Sequence, residues 1–397
     1  MPKLPYLHAL NLKTLVLLVA IVAVVAGGIA FYSLTMQTRQ QGQITMLSSE
    51  KTTLQGQLAS TSAQLQDLLD DDQYKINQDL KTEIANIQKT YKKAVTTYES
   101  LVKVKDVSKN IKGFDAQFAK SLTLLSDKNY ASADAELSDL TKKIQAENDK
   151  VSSSFSIPAN VPEKNTPPGS GFSRQQVNAG IGTYLVDIVS ADLGSTRVIV
   201  DTASDGTCTN SCPVLSLGAY VSRSGGYAGI NGSYFCPESY PSCAGKTNSF
   251  DTLLMNKNKV YFNSDNNKFS TVPAVVFLGG SIRFVGQSVE WGRDTGIDGM
   301  IANQPLLLSG GNITFGGDGD PKKGSKGSRS FVGNKGNTVY IGVVHNVTVA
   351  EAAHVLKAMG LENALNLDSG GSTALWYSGY KVGPGRNIPN AIVFVRK

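Results

Sequence analysis

The C-terminal half of this sequence predicts an α+β fold, a mixed, strand-rich sheet domain with few helices, set behind a transmembrane helix and an all-α stalk. Three observations carry that expectation. A charge-free apolar run, LVLLVAIVAVVAGGIAFYSL, fills 15–34. From about 37 to 150 proline and glycine are almost absent, and apolar residues recur in alternating steps of three and four. After residue 173 the pattern changes to short β-branched runs separated by glycine-rich turns. The chain of 397 residues is long enough for two or three units, and its 39 glycines crowd into the region beyond residue 169.

These shifts divide the chain into a cytoplasmic N-terminus at 1–14, an anchor at 15–34, a helical or coiled-coil stalk at 35–151, a Pro/Ser-rich linker at 152–173 and the strand-rich domain at 174–397. The run at 15–34 has the roughly 20 residues a helix needs to cross a bilayer core. Lys3 and Lys13 precede it, whereas Arg39 and Lys51 are the first basic residues after it, so the N-terminus is expected in the cytoplasm and the remainder outside. Apolar residues continue to Leu34 with no small-x-small cleavage site behind them, which favours an uncleaved anchor over a signal peptide.

Stalk positions Leu47, Leu54, Leu58, Leu65, Leu69, Ile76, Leu80, Ile84, Ile87, Tyr91, Ala94, Tyr98 and Leu101 form one long stripe. A second helix is expected to carry Val107, Ile111, Phe114, Phe118, Leu122 and Leu125, and a turn follows at 126–129. A third would hold Tyr130, Ala133, Leu137, Leu140 and Ile144. Short connections make such helices antiparallel neighbours. The stalk thus reads as a spacer, as a helical domain burying its own stripe, or as a coil that pairs two chains into a homodimer, although the many Gln and Thr at seam positions argue against a long coiled coil. Prolines 158, 162, 167 and 168 then block helix and mark the linker.

In the last domain, strands are expected at 182–189, 196–200, 330–332, 338–344 and 390–395, with a hairpin of 274–278 and 281–285 turning on Gly279-Gly280. One helix is well marked: Thr348 and Glu351 form a capping box, an apolar face follows, and Gly360 stops it.

The four cysteines, Cys208, Cys212, Cys236 and Cys243, all lie in this domain as two close pairs. Neither pair has C-x-x-C spacing and the chain has only 3 histidines, so two local disulfides are expected rather than zinc, although four cysteines allow three pairings. Disulfides again place the domain in an oxidising compartment. A net charge of +6 and a pI near 8.9 permit anionic partners, but no basic stripe with interleaved aromatics marks a nucleic-acid binder.

Three glycine-rich polar stretches stand out: GINGSYF at 229–235, GGDGD at 316–320 leading through a basic loop to Arg329, and NLDSGGST at 366–373. Glycines beside an Asp or Asn let backbone amides approach an anion while a carboxylate stands ready for chemistry. Each taken singly reads as a tight turn. Together with Arg329 they read as a phosphate-handling pocket.

The motifs AGINGSYF at 228–235, RSFVG at 329–333 and ALNLDSGGST at 364–373, in that order and spacing, resemble the phosphodiester glycosidase family. The resemblance covers about 180–397; the stalk and anchor lie outside it. This sequence departs from the family pattern at Ser233, Phe331 and Ser369. What the resemblance implies is hydrolysis of a sugar-1-phosphodiester in a phosphate-linked glycan. Asp368 is the first candidate for acid, base or nucleophile, and Glu351 the second, its capping-box role standing beside that reading. Arg329 is expected to clamp the phosphate, the backbone of Gly370, Gly371 and Ser372 to stabilise the departing charge, and Asn231 to orient substrate or a carboxylate. Asp318 and Asp320 are candidates for substrate or a cation such as calcium, and the metal question stays open, as no cofactor is required. His345 and His354 read as structural. Two rival readings are a stalked, non-catalytic wall-polysaccharide-binding module and a metal-dependent phosphodiesterase, the latter disfavoured by the scarcity of histidine.

Overall fold

The computed structural model describes residues 12–266 and 271–397. The expected cytoplasmic segment, with Lys3, falls mostly outside the described residues. Two compact units are present, Met1–Asn86 and Ile87–Lys397.

The first unit is helical. Its α1 (Leu12–Asp70) contains the apolar run and is long and apolar enough to cross a membrane. Gly27, Gly28, Gly42 and Gly56 are all accommodated in this helix. Stripe residues Leu47, Leu54, Leu58, Leu65, Ile76, Leu80 and Ile84 are exposed, so this part of the stripe buries nothing within one chain. Helix α2 (Asp72–Val107) starts after a break at Asp71.

The second unit opens with a three-helix bundle: the later part of α2, α3 (Phe114–Ser126) and α4 (Tyr130–Ser154). Leu101 and Val104 pack with Leu140 and Ile144, and Ala94 with Leu125, Ala133 and Leu137. Asn129 caps α4 by accepting from the Ser132 amide at 3.3 Å, which fixes the expected turn. Val107 ends α2 and Ile111 lies in the connecting loop, so the second bundle helix begins at Phe114. The linker is docked rather than loose: Lys164 N donates to Gln176 O and Gln176 N to Pro162 O, each at 2.8 Å.

Along the rest of the chain run β1 (Gly171–Asn178), β2 (Thr183–Asp192), β3 (Thr196–Thr202), α5 (Leu217–Arg223) and β4 (Gly226–Asn231). Next come β5 (Leu254–Met255), β6 (Tyr261–Phe262), β7 (Ala274–Leu278), β8 (Ser281–Val285), β9 (Gly299–Ala302), β10 (Leu306–Ser309) and β11 (Asn312–Ile313). After a short turn, α6 (Pro321–Gly324), follow β12 (Gly327–Lys335), β13 (Thr338–Val347), α7 (Val349–Ala358), β14 (Asn363–Asn366), β15 (Leu375–Tyr377), β16 (Tyr380–Val382) and β17 (Asn390–Arg396). They build an antiparallel seven-stranded sheet, β1-β2-β13-β12-β14-β10-β11, and two five-stranded sheets, β16-β15-β4-β17-β3 and β6-β5-β9-β7-β8.

The α+β architecture follows from period-2 patterning. On β17, Ile392 and Phe394 enter the core shared by the sheets, while Ala391, Val393 and Val395 pack under α5. On β13, Val339, Ile341 and Val343 face that core, and Tyr340 and Val344 face α7. The capping box of Thr348 and Glu351 is formed, and Gly360 follows α7 at φ +76°. Helix α5 went unread in the sequence; Ser216 caps it at the Ala219 amide. Phe331 lies on the α7 side of its sheet, filling the space above Gly342. Both local disulfides, Cys208–Cys212 and Cys236–Cys243, are present.

Candidate active site

The end of β14 delivers the most distinctive motif into a cleft. Beyond Asn366 the chain leaves the ladder but stays tied on both sides: Leu367 N donates to Ser330 O and Asp368 N to Gly232 O, both at 2.9 Å. Gly370 then adopts φ +66°, where a side chain would be strained, and a single 3₁₀ turn, Gly370–Ser372, follows. At Gly371 a Cβ would collide with the Arg386 guanidinium and approach Asp106 Oδ2 to 2.8 Å, so the second glycine makes room for charged neighbours.

Asn231, at the end of β4, is fully buried and joins three segments. Its Nδ2 donates to Asp368 O at 2.6 Å, and its Oδ1 accepts from Ser330 Oγ at 2.8 Å and from Ala374 N at 3.1 Å. It acts on the backbone of Asp368 and does not line the cavity.

Asp368 keeps part of its surface open to the cavity. Its carboxyl is nevertheless surrounded deeply enough that lost hydration pushes its pKa up to about 6. A bond from Ser372, the Ser369 amide at 2.8 Å, Arg386 and Lys103 oppose that rise. A carboxyl whose pKa is raised in this way is suited to proton transfer near neutral pH. Tyr234 stands nearby: its hydroxyl meets Asn366 Nδ2 at 2.6 Å, and burial raises its pKa.

The cavity, about 1770 Å³, is lined by basic, acidic and apolar side chains together, with Asp106, Asp149, Glu238 and Asp320 among them as well as Asp368. Lys103, Lys322, Arg329 and Arg386 all reach it. Three of them ring one aromatic, with Lys103 Nζ and Lys322 Nζ each 5.7 Å, and the Arg386 guanidinium 5.5 Å, from the centre of Tyr240. Arg329 is buried, and much of its donor capacity is already committed. Its Nε donates to Val347 O at 3.2 Å, and its Nη2 to Lys322 O at 2.9 Å and to Ser325 O. It holds the α6 loop in place as well as charging the wall.

Of the residues singled out in the sequence, Asp368, Arg329, Gly370, Gly371, Ser372 and Asp320 line one cavity. Asp320 also caps α6, accepting from Lys322 N at 2.8 Å. Asp318 is outside the lining and pairs with Lys323, which holds its carboxyl below the usual range. Glu351 is outside it too: its Oε2 accepts from Thr348 N at 2.7 Å, and its Oε1 meets Lys326 at 3.4 Å and Tyr184. His345 bridges Asp187 at 2.8 Å and Ser328 at 3.2 Å, and His354 rides on α7. Among the described residues, no three His, Cys, Asp or Glu side chains gather to hold a metal ion.

Sequence reading missed Lys103, Arg386 and the two tyrosines. Arg386 had a signal, a lone arginine in the glycine-rich loop GPGRN at 383–387. Lys103 had none, since a lysine on a helix face normally marks solvent.

Residues 224–395 match the model of the phosphodiester glycosidase family. That match spans all three motifs, from Asn231 through Arg329 to Asp368. A phosphodiester glycosidase domain is thus recognised over residues 224–395. No curated protein matches the chain. Among solved structures, a hypothetical protein from Synechocystis is similar at 14% identity and a TM-score of 0.45, covering 57% of this chain; this chain covers 62% of that protein's length. The catalytic domain of zebrafish N-acetylglucosamine-1-phosphodiester alpha-N-acetylglucosaminidase is similar at 15% identity and a TM-score of 0.45, over 60% of this chain and 87% of that one.

Two family departures have structural roles in the phosphodiester glycosidase domain. Ser233 exchanges bonds with Asn390, and the Ser369 hydroxyl meets Ser330 N and Leu367 O at the base of the Asp368 turn. The bundle residues Lys103, Asp106, Gln145, Asn148, Asp149 and Ser152 line the same cavity although they precede the matched segment.

Proposed function

We propose that this protein is a membrane-anchored hydrolase acting outside the cytoplasm, which cleaves a sugar-1-phosphodiester on its glycosidic side within a phosphate-linked glycan or cell-wall polymer. The observation that carries this reading is a desolvated carboxyl, Asp368, facing a cavity that Arg329, Arg386, Lys103 and Lys322 also reach, in a chain whose residues 224–395 match the phosphodiester glycosidase family. In the reaction, water supplies an oxygen to the anomeric carbon and the bond from that carbon to the phosphate oxygen breaks. Free sugar and a phosphomonoester result. Ionised Asp368 acts at the anomeric carbon, as base toward water or as nucleophile. Because phosphate leaves readily, the larger electrostatic task is to hold its charge, which falls to Arg386, Arg329 and the amides around Gly370, Gly371 and Ser372.

Support for the anchor and its direction comes from the apolar α1, from Lys3 and Lys13 on its N-terminal side, and from the two disulfides of the C-terminal domain. The exposed stripe from Leu47 to Ile84 supports association of two such chains through the stalk.

The test is turnover by the full chain in detergent of a panel of sugar-1-phosphodiesters, with free sugar and phosphomonoester measured together. Wild type should release both in equal amounts, and Asp368→Asn should release neither. An inert wild type that binds wall polymer would instead favour a binding module.

A further inference from the structure

Helix α2 presents Glu99, Lys103 and Asp106 at spacings of four and three, hence on one face. That face is fastened to the glycosidase domain at both ends. Glu99 is 7% exposed and accepts from Ser242 N at 3.3 Å and from Ser242 Oγ, inside the loop closed by Cys236–Cys243. Asp106 Oδ2 stands 3.6 Å from Arg386 Nη2, over Gly371. Lys103 lies between these two latches and faces the cavity.

Its position is unusual for a lysine. Among the described residues Lys103 Nζ has no hydrogen bond and no ion pair, and its one ring contact is Tyr240. The groups facing it are mostly of like charge: Lys322 from the α6 turn, Arg329 from β12 and Arg386 from the loop before β17. Glu99, on its own helix, and Asp368, which lines the same cavity, carry the opposing charge, and the Glu99 carboxylate is held by Ser242 with Lys322 Nζ 3.9 Å away. Asp368 feels Lys103 in turn. Burial first, then Lys322, lowers the ammonium pKa to about 8. A desolvated cation among cations, without an acceptor, is costly unless an anion completes it.

We propose that Lys103 is a phosphate-binding residue of this active site, supplied by the helical bundle, and that with Arg386 it grips the non-bridging oxygens of the substrate's phosphodiester and of the phosphomonoester product. This deepens the glycosidase reading, on which it rests. It also makes the bundle a wall of the site rather than a spacer alone. Binding needs the ammonium form, so phosphate affinity falls as pH rises through about 8. Burial raises the Tyr240 pKa, so its ring stays neutral across that range.

The experiment uses the full chain in detergent as wild type, Lys103→Met, Lys103→Gln and Lys103→Arg. Inorganic phosphate is titrated calorimetrically at pH 7 and pH 9.5, and KM and kcat are measured on a sugar-1-phosphodiester. The expected result for Met and Gln is a loss of phosphate affinity and a rise in KM of about tenfold each, with kcat within about twofold. Arg restores affinity and, relative to wild type, removes the decline toward pH 9.5. Unchanged phosphate binding in both Met and Gln, or an Arg variant as weak as they are, overturns the proposal. So does a wild type whose affinity declines no more steeply with pH than that of the Arg variant. Phosphate binding is read without turnover, so an inert wild type sinks the glycosidase reading while the Lys103 comparison still gives its own answer.

Discussion

Asn231 Nδ2 donates to the backbone carbonyl of Asp368 at 2.6 Å, so the residue that ends β4 sets where the Asp368 turn begins. The other face of the same amide holds Ser330 Oγ and Ala374 N, all of it without contact with solvent. Replacing Asn231 by Ala leaves these buried groups unpaired, at about 1–3 kcal/mol each. Asn231→Ala is expected to lose about 2–4 kcal/mol in urea unfolding. The activity that remains should show a reduced kcat, since Asp368 is displaced.

The raised pKa of Asp368 gives a pH signature in both rate and stability. The proposed reaction uses its ionised form, so kcat/KM should climb with pH and reach half its plateau near pH 6. The folded pKa lies above the unfolded one, so the folded state holds its proton more tightly. Its contribution to stability is therefore present below the unfolded pKa and is lost as pH rises through about 6. Asp368→Asn removes this loss. Its stability relative to wild type should improve between pH 3.5 and pH 7.5 by as much as about 3 kcal/mol, read by chemical unfolding at the two pH values.

Tyr240, the aromatic ringed by Lys103, Lys322 and Arg386, sits in the loop closed by Cys236 and Cys243. Opening that loop in the double variant Cys236→Ser, Cys243→Ser should cost about 2–3 kcal/mol through the unfolded chain. It should also raise KM for the phosphodiester more than it lowers kcat, since the ring orders cations rather than the anomeric carbon. Calorimetric melting and steady-state kinetics on the same preparation check both parts.

Asp187 is fully buried on β2, bonded by Arg174 Nε at 2.8 Å, Arg174 Nη2 at 2.7 Å and His345 Nε2 at 2.8 Å. Burial pushes its carboxyl upward, but the bonds from His345 and Arg174 outweigh it and hold the pKa below the ordinary range. Its stabilising share is thus present above the unfolded pKa near 4 and lost as pH falls through the folded value. Arg174→Met removes two of the three bonds to this buried carboxylate, leaving only that from His345, and should cost about 1–3 kcal/mol at pH 7. The penalty should shrink in unfolding measured at pH 3, where the carboxyl takes up a proton.

The elements legible in the sequence were those whose signals are local. The capping box at Thr348 and Glu351, the Gly279-Gly280 hairpin, the Asn129 turn and the alternation along β17 all formed as the residues dictate. The three glycine-rich stretches read singly as tight turns; their combination with Arg329, and the motif order and spacing that resemble phosphodiester glycosidases, pointed to a site. What stayed hidden depended on long-range packing. Lys103 and Arg386 are 283 positions apart and meet only once α2 lies against the Gly371 turn. Nothing local to Gln175 or Gln176 announces that they strap the proline-rich segment to β1. Glu351 showed both: its capping bonds to Thr348 were visible in the sequence, whereas its contacts with Lys326 and Tyr184 arise from long-range packing.

The most direct test of the central claim is hydrolysis of a sugar-1-phosphodiester by the full chain in oxygen-18 water, followed by mass spectrometry of both products. The account predicts one labelled oxygen in the released sugar, none in the phosphomonoester, and no product of either kind from Asp368→Asn. Label in the phosphomonoester would mean that water attacks phosphorus, contradicting cleavage on the glycosidic side.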